Sequence, residues 1–554
     1  MVFRPRLTRR AFLATAAGVA ISARAGAQPD REVLYNGITL PRPWPPRRHH
    51  LSPTPGRAPY LSSPPDVINI DTGRQLFVDD FLIEESSLYR AVHTAAYHPS
   101  NPVLAPERPW EIDDPYSVMT KTPPSPAAMV YSDGVFFDPA ERVFKMWYMA
   151  GYQQHTALAI SHDGVSWIRP DSRVSPGTNI VRKHRRDSST VWLDLIDRDP
   201  LARYKMAWTS MEGSGLRLSA SPDGVRWSDL GSAGPAGDRT TCFYNPFRDR
   251  WCFSLRHDDP ALQRVRHYHE SRSFGSTRWA EGEPVPWVAA ESRDHVQAGA
   301  TVMPELYNLD AVAYESVMLG LFALFRGEGS DREKPNDLCV GFSRDGFHWS
   351  RPTYDPFIAV SSRQGDWNWA NVQSAGGVCL IVGDLLHFYV SGRAGVPGTS
   401  MPGRCSTGLA TLRRDGFVSI TDRWPAGSTR PVLRHQSTLI TRPVRFSGAH
   451  AFINADVTGA IRVEMLDREG RTIPGFEATR AVAITGNRTR HPVQWSGGAS
   501  IASLANTVVR FRFVLDRAHL YAFWVSPRAS GESRGYPAAG GPEFSGPIDV
   551  GAGL

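Results

Sequence analysis

Ser161-His162-Asp163-Gly164-Val165-Ser166-Trp167 returns as Ser221-Pro222-Asp223-Gly224-Val225-Arg226-Trp227 and again as Ser343-Arg344-Asp345-Gly346-Phe347-His348-Trp349. A worn copy stands at Arg413-Arg414-Asp415-Gly416-Phe417. The aspartates are 60, 122 and 70 residues apart, so the middle gap holds two periods. The degenerate Ser271-Arg272-Ser273-Phe274-Gly275-Ser276-Thr277-Arg278-Trp279 fills it and brings the units to five. Asp-Gly between alternating segments is a hairpin signal, because glycine accepts positive φ and aspartate bonds back to nearby amides. The closing Trp is expected to pack between sheets. The phrase is therefore structural rather than catalytic.

A second series runs out of phase with the first. Val135-Phe136-Phe137-Asp138-Pro139 leads to Phe144-Lys145-Met146-Trp147-Tyr148, and Val191-Trp192-Leu193-Asp194 to Tyr204-Lys205-Met206-Ala207-Trp208. Each is an apolar strand, a polar turn and an aromatic-rich second strand. With the Asp-Gly hairpin, every unit has four strands. Four-stranded sheets repeated at this spacing predict an all-β fold, a five-bladed β-propeller over residues 66–428. Beyond it the phrase disappears, and alternating segments such as Ile461-Arg462-Val463-Glu464-Met465-Leu466 predict a β-sandwich over 429–527. Residues 28–65 read as an extended Pro/Arg-rich lead. Residues 528–554, rich in Gly, Pro and Ser, read as a disordered tail.

The formal charge of +7 is mostly a feature of the N-terminus. The first 27 residues hold five arginines and no acid, leaving 57 basic against 55 acidic residues in the rest. So even a balance argues against a polyanion-binding surface, and nucleic acid is not an expected partner. Arg9-Arg10 followed by Phe12-Leu13, an Ala-rich apolar stretch and Ala25-Gly26-Ala27 read as a signal of the twin-arginine class over residues 1–27. Export to the periplasm or medium is the expectation. No later apolar run is long enough for a membrane span. Of five cysteines, Cys242 and Cys252 flank a turn, where one disulfide is conceivable; small core residues are the expected role of the others. No Cys/His spacing suggests a zinc site, and no cofactor or metal is called for.

Propeller blades gather equivalent positions of their inner strands around one mouth. The turn residues Asp138, Asp194, Asn245 and Glu315 end those strands and give a register. Seven residues earlier lie Tyr131, Asp187, Asp238 and Asn308. Asp187 and Asp238 thus become the candidate catalytic pair, with Tyr131 and Asn308 as substrate contacts. The second strands return to the same mouth and exit at Arg256, Arg326 and Arg393, whose forks suit carboxylates and sulfates or could pair with the acids. The lead-in Pro109-Trp110-Glu111-Ile112-Asp113-Asp114-Pro115 could cross the mouth. It would supply a Trp110 platform and a third carboxyl from Glu111 or Asp114; Asp294 is a further candidate. Glycosidases need two carboxyl groups, one as acid and one as base or nucleophile.

The repeated phrase resembles the Asp-box of sialidase-type propellers and, more closely, the S-x-D-G-x-x-W turn of five-bladed glycosidase propellers. Gln75-Leu76-Phe77-Val78-Asp79-Asp80-Phe81-Leu82-Ile83-Glu84, Asn101-Pro102-Val103-Leu104 and Pro109-Trp110-Glu111 are similar to a group of secreted bacterial glycoside-hydrolase-like propeller proteins. So are the later stretches Ile473-Pro474-Gly475-Phe476, Ile484-Thr485-Gly486-Asn487 and Leu520-Tyr521-Ala522-Phe523. That group is related in fold to the invertase and arabinanase families. The resemblance covers residues 66–527 and implies sugar chemistry. The chain departs from it in lacking an Asn-Asp-Pro-Asn-Gly string, and in placing Asp238 where the invertase-like acid is usually a Glu. The expected function is an exported glycoside hydrolase acting on a furanoside or acidic oligosaccharide. Two alternatives stand: a sialidase-like exo-hydrolase with an arginine cluster and a nucleophilic Tyr131, and a non-catalytic carbohydrate-binding propeller.

Overall fold

The computed structural model describes residues 31–47, 50–113, 115–213, 215–296, 302–327, 332, 334–425 and 437–551. The signal-like segment lies outside them. Three four-stranded antiparallel sheets follow one another. The first is Ala128–Asp138, Val143–Ala150, His155–Ser161 and Ile180–Arg182. The second is Arg186–Leu193, Tyr204–Ser210, Leu216–Ser221 and Ser228–Gly234, and the third is Thr241–Asn245, Arg250–Asp259, Gln263–Ser271 and Val285–Val288. A fourth unit opens with Glu305–Glu315, Val317–Phe325 and Asn336–Ser343, and touches a fifth through the single parallel pair Asn336–Asn371. The fifth takes its outermost strand from Ala96–Tyr97, which pairs with Cys405–Arg413. A segment upstream of the first sheet thus completes the last one.

The Asp-Gly turns hold as the residue types require. Asp163 Oδ1 accepts from the amides of Val165 and Ser166 at 2.7 Å, and the Gly164 amide donates to Ser161 Oγ at 2.9 Å. Asp223 and Asp345 repeat the pattern. The glycines sit at φ +76°, +76° and +81°, the left-handed region that side chains avoid. Each turn also docks on a neighbouring unit. Trp147 Nε1 donates to Gly224 O at 2.8 Å, Trp287 Nε1 to Phe347 O at 2.8 Å, and Tyr389 OH to Gly164 O. The repeated phrase is therefore a between-sheet fastener.

A second hydrophobic core lies apart from the first. Its eight-stranded sheet is built on two long strands, His450–Leu466 and Arg510–Ser526, with a bulge between Val457 and Ala460. The boundary expected at residue 429 needs correcting. Gln75–Leu76, Ile83–Ser86, Tyr89–Val92 and Val418–Thr421 all pair into this sheet. Only by non-local pairing do these short segments satisfy their backbone groups.

Two further expectations are corrected. The lead is packed rather than merely extended: Leu34, Ile38 and Leu40 are buried in the second core, and Glu32 pairs with Arg248 at 2.9 Å. Nor are the described residues of the tail, 528–551, disordered. Tyr536–Pro537 pairs with Tyr314 and Glu315, the Phe137 amide donates to Ala539 O at 3.0 Å, and the Ile381 amide donates to Gly540 O at 2.9 Å. It crosses the ends of three inner strands on the side away from the mouth. Composition misled here because small residues permit close backbone approach as well as flexibility: a Cβ on Gly541 would lie 1.8 Å from Ile381 O. All five cysteines are buried, and none is in a disulfide among the described residues. Cys242 faces Phe253, and Cys252 faces Phe243, so the two are hairpin neighbours rather than partners.

Candidate active site

The inner strands do not enter the mouth straight. Register shifts lie between Met129 and Gly134, between Arg186 and Ser189, and between Leu306 and Asn308. Ser132 and Arg239 have φ of 60° and 55°. A bulge re-aims the side chains beyond it, so counting along straight strands finds the level of the site but not every residue that faces it.

Asp187 and Asp238 are brought together. The Arg239 amide donates to Asp187 Oδ1 at 3.1 Å, which ties the second strand to the turn that carries Asp238. Asp187 is 9% exposed. Burial, reinforced by the nearby Asp238 charge, holds its carboxyl above the ordinary carboxylate range, against the pull of Arg239 and Arg393. Asp238 is more open and pairs with Arg256 at 2.9 Å and Arg264 at 3.6 Å. Tyr131 forms part of the same wall. Burial and Asp187 push its phenol well up, despite two neighbouring guanidiniums.

Sequence reasoning missed Arg239. It is 1% exposed, lies 3.9 Å over the Tyr131 ring, and none of its guanidinium nitrogens has a hydrogen-bond partner among the described residues. The signal was its place beside Asp238, at a turn whose left-handed residue sends one side chain outward and the next inward. Arg393 approaches the same ring at 5.2 Å and Tyr152 at 5.6 Å. Also missed were Arg264, stacked on Tyr307 at 4.1 Å, and a deeper polar layer. There Asp133 pairs with Arg186 at 2.7 Å, both fully buried. Arg266, fully buried, donates to Arg239 O at 2.8 Å and Tyr307 O at 3.1 Å, so it holds both rim segments in place. Burial and Arg239 push Arg266 down to about 9.

Several candidates are corrected. Asn308 lies one layer deeper than the acids, bonded to Ser132, Asp310 and Thr241, and the bulge before it gives the rim position to Tyr307. Glu111 is fully buried and saturated. It accepts from the Glu107 and Arg108 amides at 2.9 and 3.1 Å, from Tyr148 OH at 2.6 Å and from Arg169 Nε at 2.7 Å. It caps the short helix Pro109–Ile112 and anchors it to the first sheet. Trp110 is tied to Asn179 at 3.0 Å and packs on the core, so it offers no platform. Asp294 is gripped by both terminal nitrogens of Arg351, at 2.8 and 2.9 Å. Arg326 is held by Asp337 at 2.6 Å. Asp114 lies outside the described residues. Two of the three expected arginines, Arg256 and Arg393, therefore stand near the acids.

Comparison with family models and with curated proteins returns no match. Among solved structures, the chain is similar to a thermostable family-43 glycoside hydrolase, at 10% identity and TM-score 0.39, over 57% of this chain and 99% of that one. It is also similar to the β-fructofuranosidase of Schwanniomyces occidentalis, at 11% and 0.35, over 77% and 99%. A third is the exo-β-1,3-galactanase of Phanerochaete chrysosporium, at 11% and 0.34, over 78% and 99%. Likeness at this level leaves the chemistry of this chain to its own side chains.

Proposed function

We propose that this chain is an exported glycoside hydrolase in which Asp187 is the general acid and Asp238 the partner carboxylate. The observation that carries the reading is the unequal setting of two adjacent acids. Asp187 sits in a buried wall that favours its protonated form, whereas Asp238 sits at the rim, held by Arg256 and Arg264. Paired acids with different environments are the arrangement glycoside hydrolysis requires. Asp187 would protonate the departing glycosidic oxygen. Asp238 would act from the other side of the sugar, on water or on the anomeric carbon. The signal-like N-terminus supports export. A nucleophilic Tyr131 is not favoured, because its setting disfavours the phenolate a nucleophile needs.

The test is a screen of aryl furanosides, aryl pyranosides and polysaccharides with the wild type, Asp187→Asn and Asp238→Asn. Each variant is expected to lose about 10²–10⁴-fold in kcat on the substrate found. Sugar binding without release of reducing ends would support a binding module instead. Unchanged turnover in either variant would remove that residue from the mechanism.

A further inference from the structure

The mouth is richer in positive charge than a neutral sugar needs. Arg239, Arg256, Arg264 and Arg393 meet Asp187, Asp238 and Glu305. Asp238 occupies Arg256 and Arg264, and exposed Asp258 also binds Arg256, at 2.8 Å. That leaves Arg239 and Arg393. Neither makes an ion pair or a side-chain hydrogen bond among the described residues, although Asp187 feels both charges; both lie on the Tyr131 ring. Other buried arginines here do have acceptors: Arg186 pairs with Asp133, Arg344 with Asp79 and Arg414 with Glu315, while Arg266 donates to the Arg239 and Tyr307 carbonyls. A desolvated guanidinium without an acceptor is costly, so Arg239 and the buried Nε of Arg393 leave positive charge at the mouth that an anion bound there would offset.

Arg393 is the one that can reach a ligand. Arg239 is sealed at 1% exposure, whereas Arg393 ends the strand Leu385–Arg393 and remains partly exposed. Its position is fixed from behind. Trp367 lies so close to Gly392 and Gly408 that a Cβ on either would approach its ring to 2.2 or 2.1 Å. The backbone next to Arg393 is thus clamped against a flat ring, and Tyr131 and Tyr152 line its guanidinium.

We propose that the substrate is an anionic saccharide, and that its carboxylate or sulfate is bound by Arg393, with the charge of Arg239 behind Tyr131 adding to the attraction. This rests on the hydrolase reading and deepens it. A planar fork beside aromatic faces suits a bidentate oxyanion, and Arg393 acts on binding rather than on bond breaking.

The experiment has two arms. The first compares kcat/KM of the wild type, Arg393→Lys and Arg393→Met on nitrophenyl hexosides and on the matching hexuronides and sulfated hexosides, in both anomers. The wild type should prefer one anionic series over its neutral parent. Arg393→Met should lose about 10–100-fold more on that series than on the neutral one, with the extra loss mainly in KM. Arg393→Lys, which keeps the charge and guards against misfolding, should recover part of the loss. The second arm measures calorimetric binding of galacturonic acid, glucuronic acid, a sulfated galactose and galactose to the wild type and Arg393→Met. A uronate-only or sulfate-only response identifies the anion. Anion binding lost in Arg393→Met upholds the proposal even if no glycoside is cleaved, in which case only the hydrolase reading fails. Cleavage of neutral glycosides with no anionic preference, or anion binding unaffected in Arg393→Met, overturns the proposal and leaves the hydrolase reading standing.

Discussion

Glu111→Ala should unfold the start of the propeller rather than remove a catalytic group. The Glu111 carboxylate is fully buried and takes five short contacts, two of them from Arg169, at 2.7 and 3.2 Å. Arg169 would keep Glu107 and the Ala105 carbonyl, but its Nε would face a void, and two helix-cap amides and the Tyr148 hydroxyl would lose their acceptor. Breaking a buried charge pair from one side costs about 3–5 kcal/mol. With a urea slope of about 3 kcal/mol per molar, the midpoint of the propeller transition falls by about 1–1.7 M. Tryptophan fluorescence follows it, since Trp110 sits on the same short helix. Turnover per folded molecule should be unchanged. A stability loss below about 1 kcal/mol, or lost turnover at a wild-type midpoint, would refute the structural assignment.

Two other perturbations probe the wall and the fasteners. Because the folded state raises the Asp187 pKa above its ordinary value of 3.8, folded Asp187 keeps a proton that unfolded Asp187 gives up, and stability falls as pH rises through that window. Asp187→Asn should therefore be more stable than wild type at neutral pH, with the gain vanishing near about pH 3, and denaturant titrations at a series of pH values would detect the opposite slope. Gly224→Ala forces a left-handed alanine at φ +76° and a Cβ 2.4 Å from the Trp147 ring, so thermal unfolding should show a loss of about 2 kcal/mol or more; a neutral result would mean the turn does not fasten neighbouring units.

What the sequence disclosed depended on how local the physics was. The Ser-x-Asp-Gly turns were readable because their hydrogen bonds close within a few residues, and the period they set was enough to place the sheets. Strands such as Ala96–Tyr97 and Gln75–Leu76 carry no such mark, since their partners lie hundreds of residues away. Register arithmetic brought Tyr131, Asp187 and Asp238 to one level. It failed for Asn308 because a bulge at the fourth inner strand shifts the count, and it hid Arg239 for the same kind of reason. The acids wrongly given to the mouth were those whose true partners are distant in sequence: Glu111 with Arg169, 58 residues on, and Asp294 with Arg351, 57 residues on. A charged residue near a loop cannot be told from a structural ion pair until its partner is placed.

The proposed hydrolysis turns on Asp187 donating the proton to the leaving group. Leaving-group dependence of Asp187→Ala tests that donation most directly, with aryl glycosides whose phenols range from strongly to weakly acidic. If Asp187 supplies the proton, the variant should hydrolyse the most activated aryl glycoside at close to the wild-type rate and fall by about 10²–10⁴-fold on the least activated one. An equal loss across the whole series, or none, would contradict it.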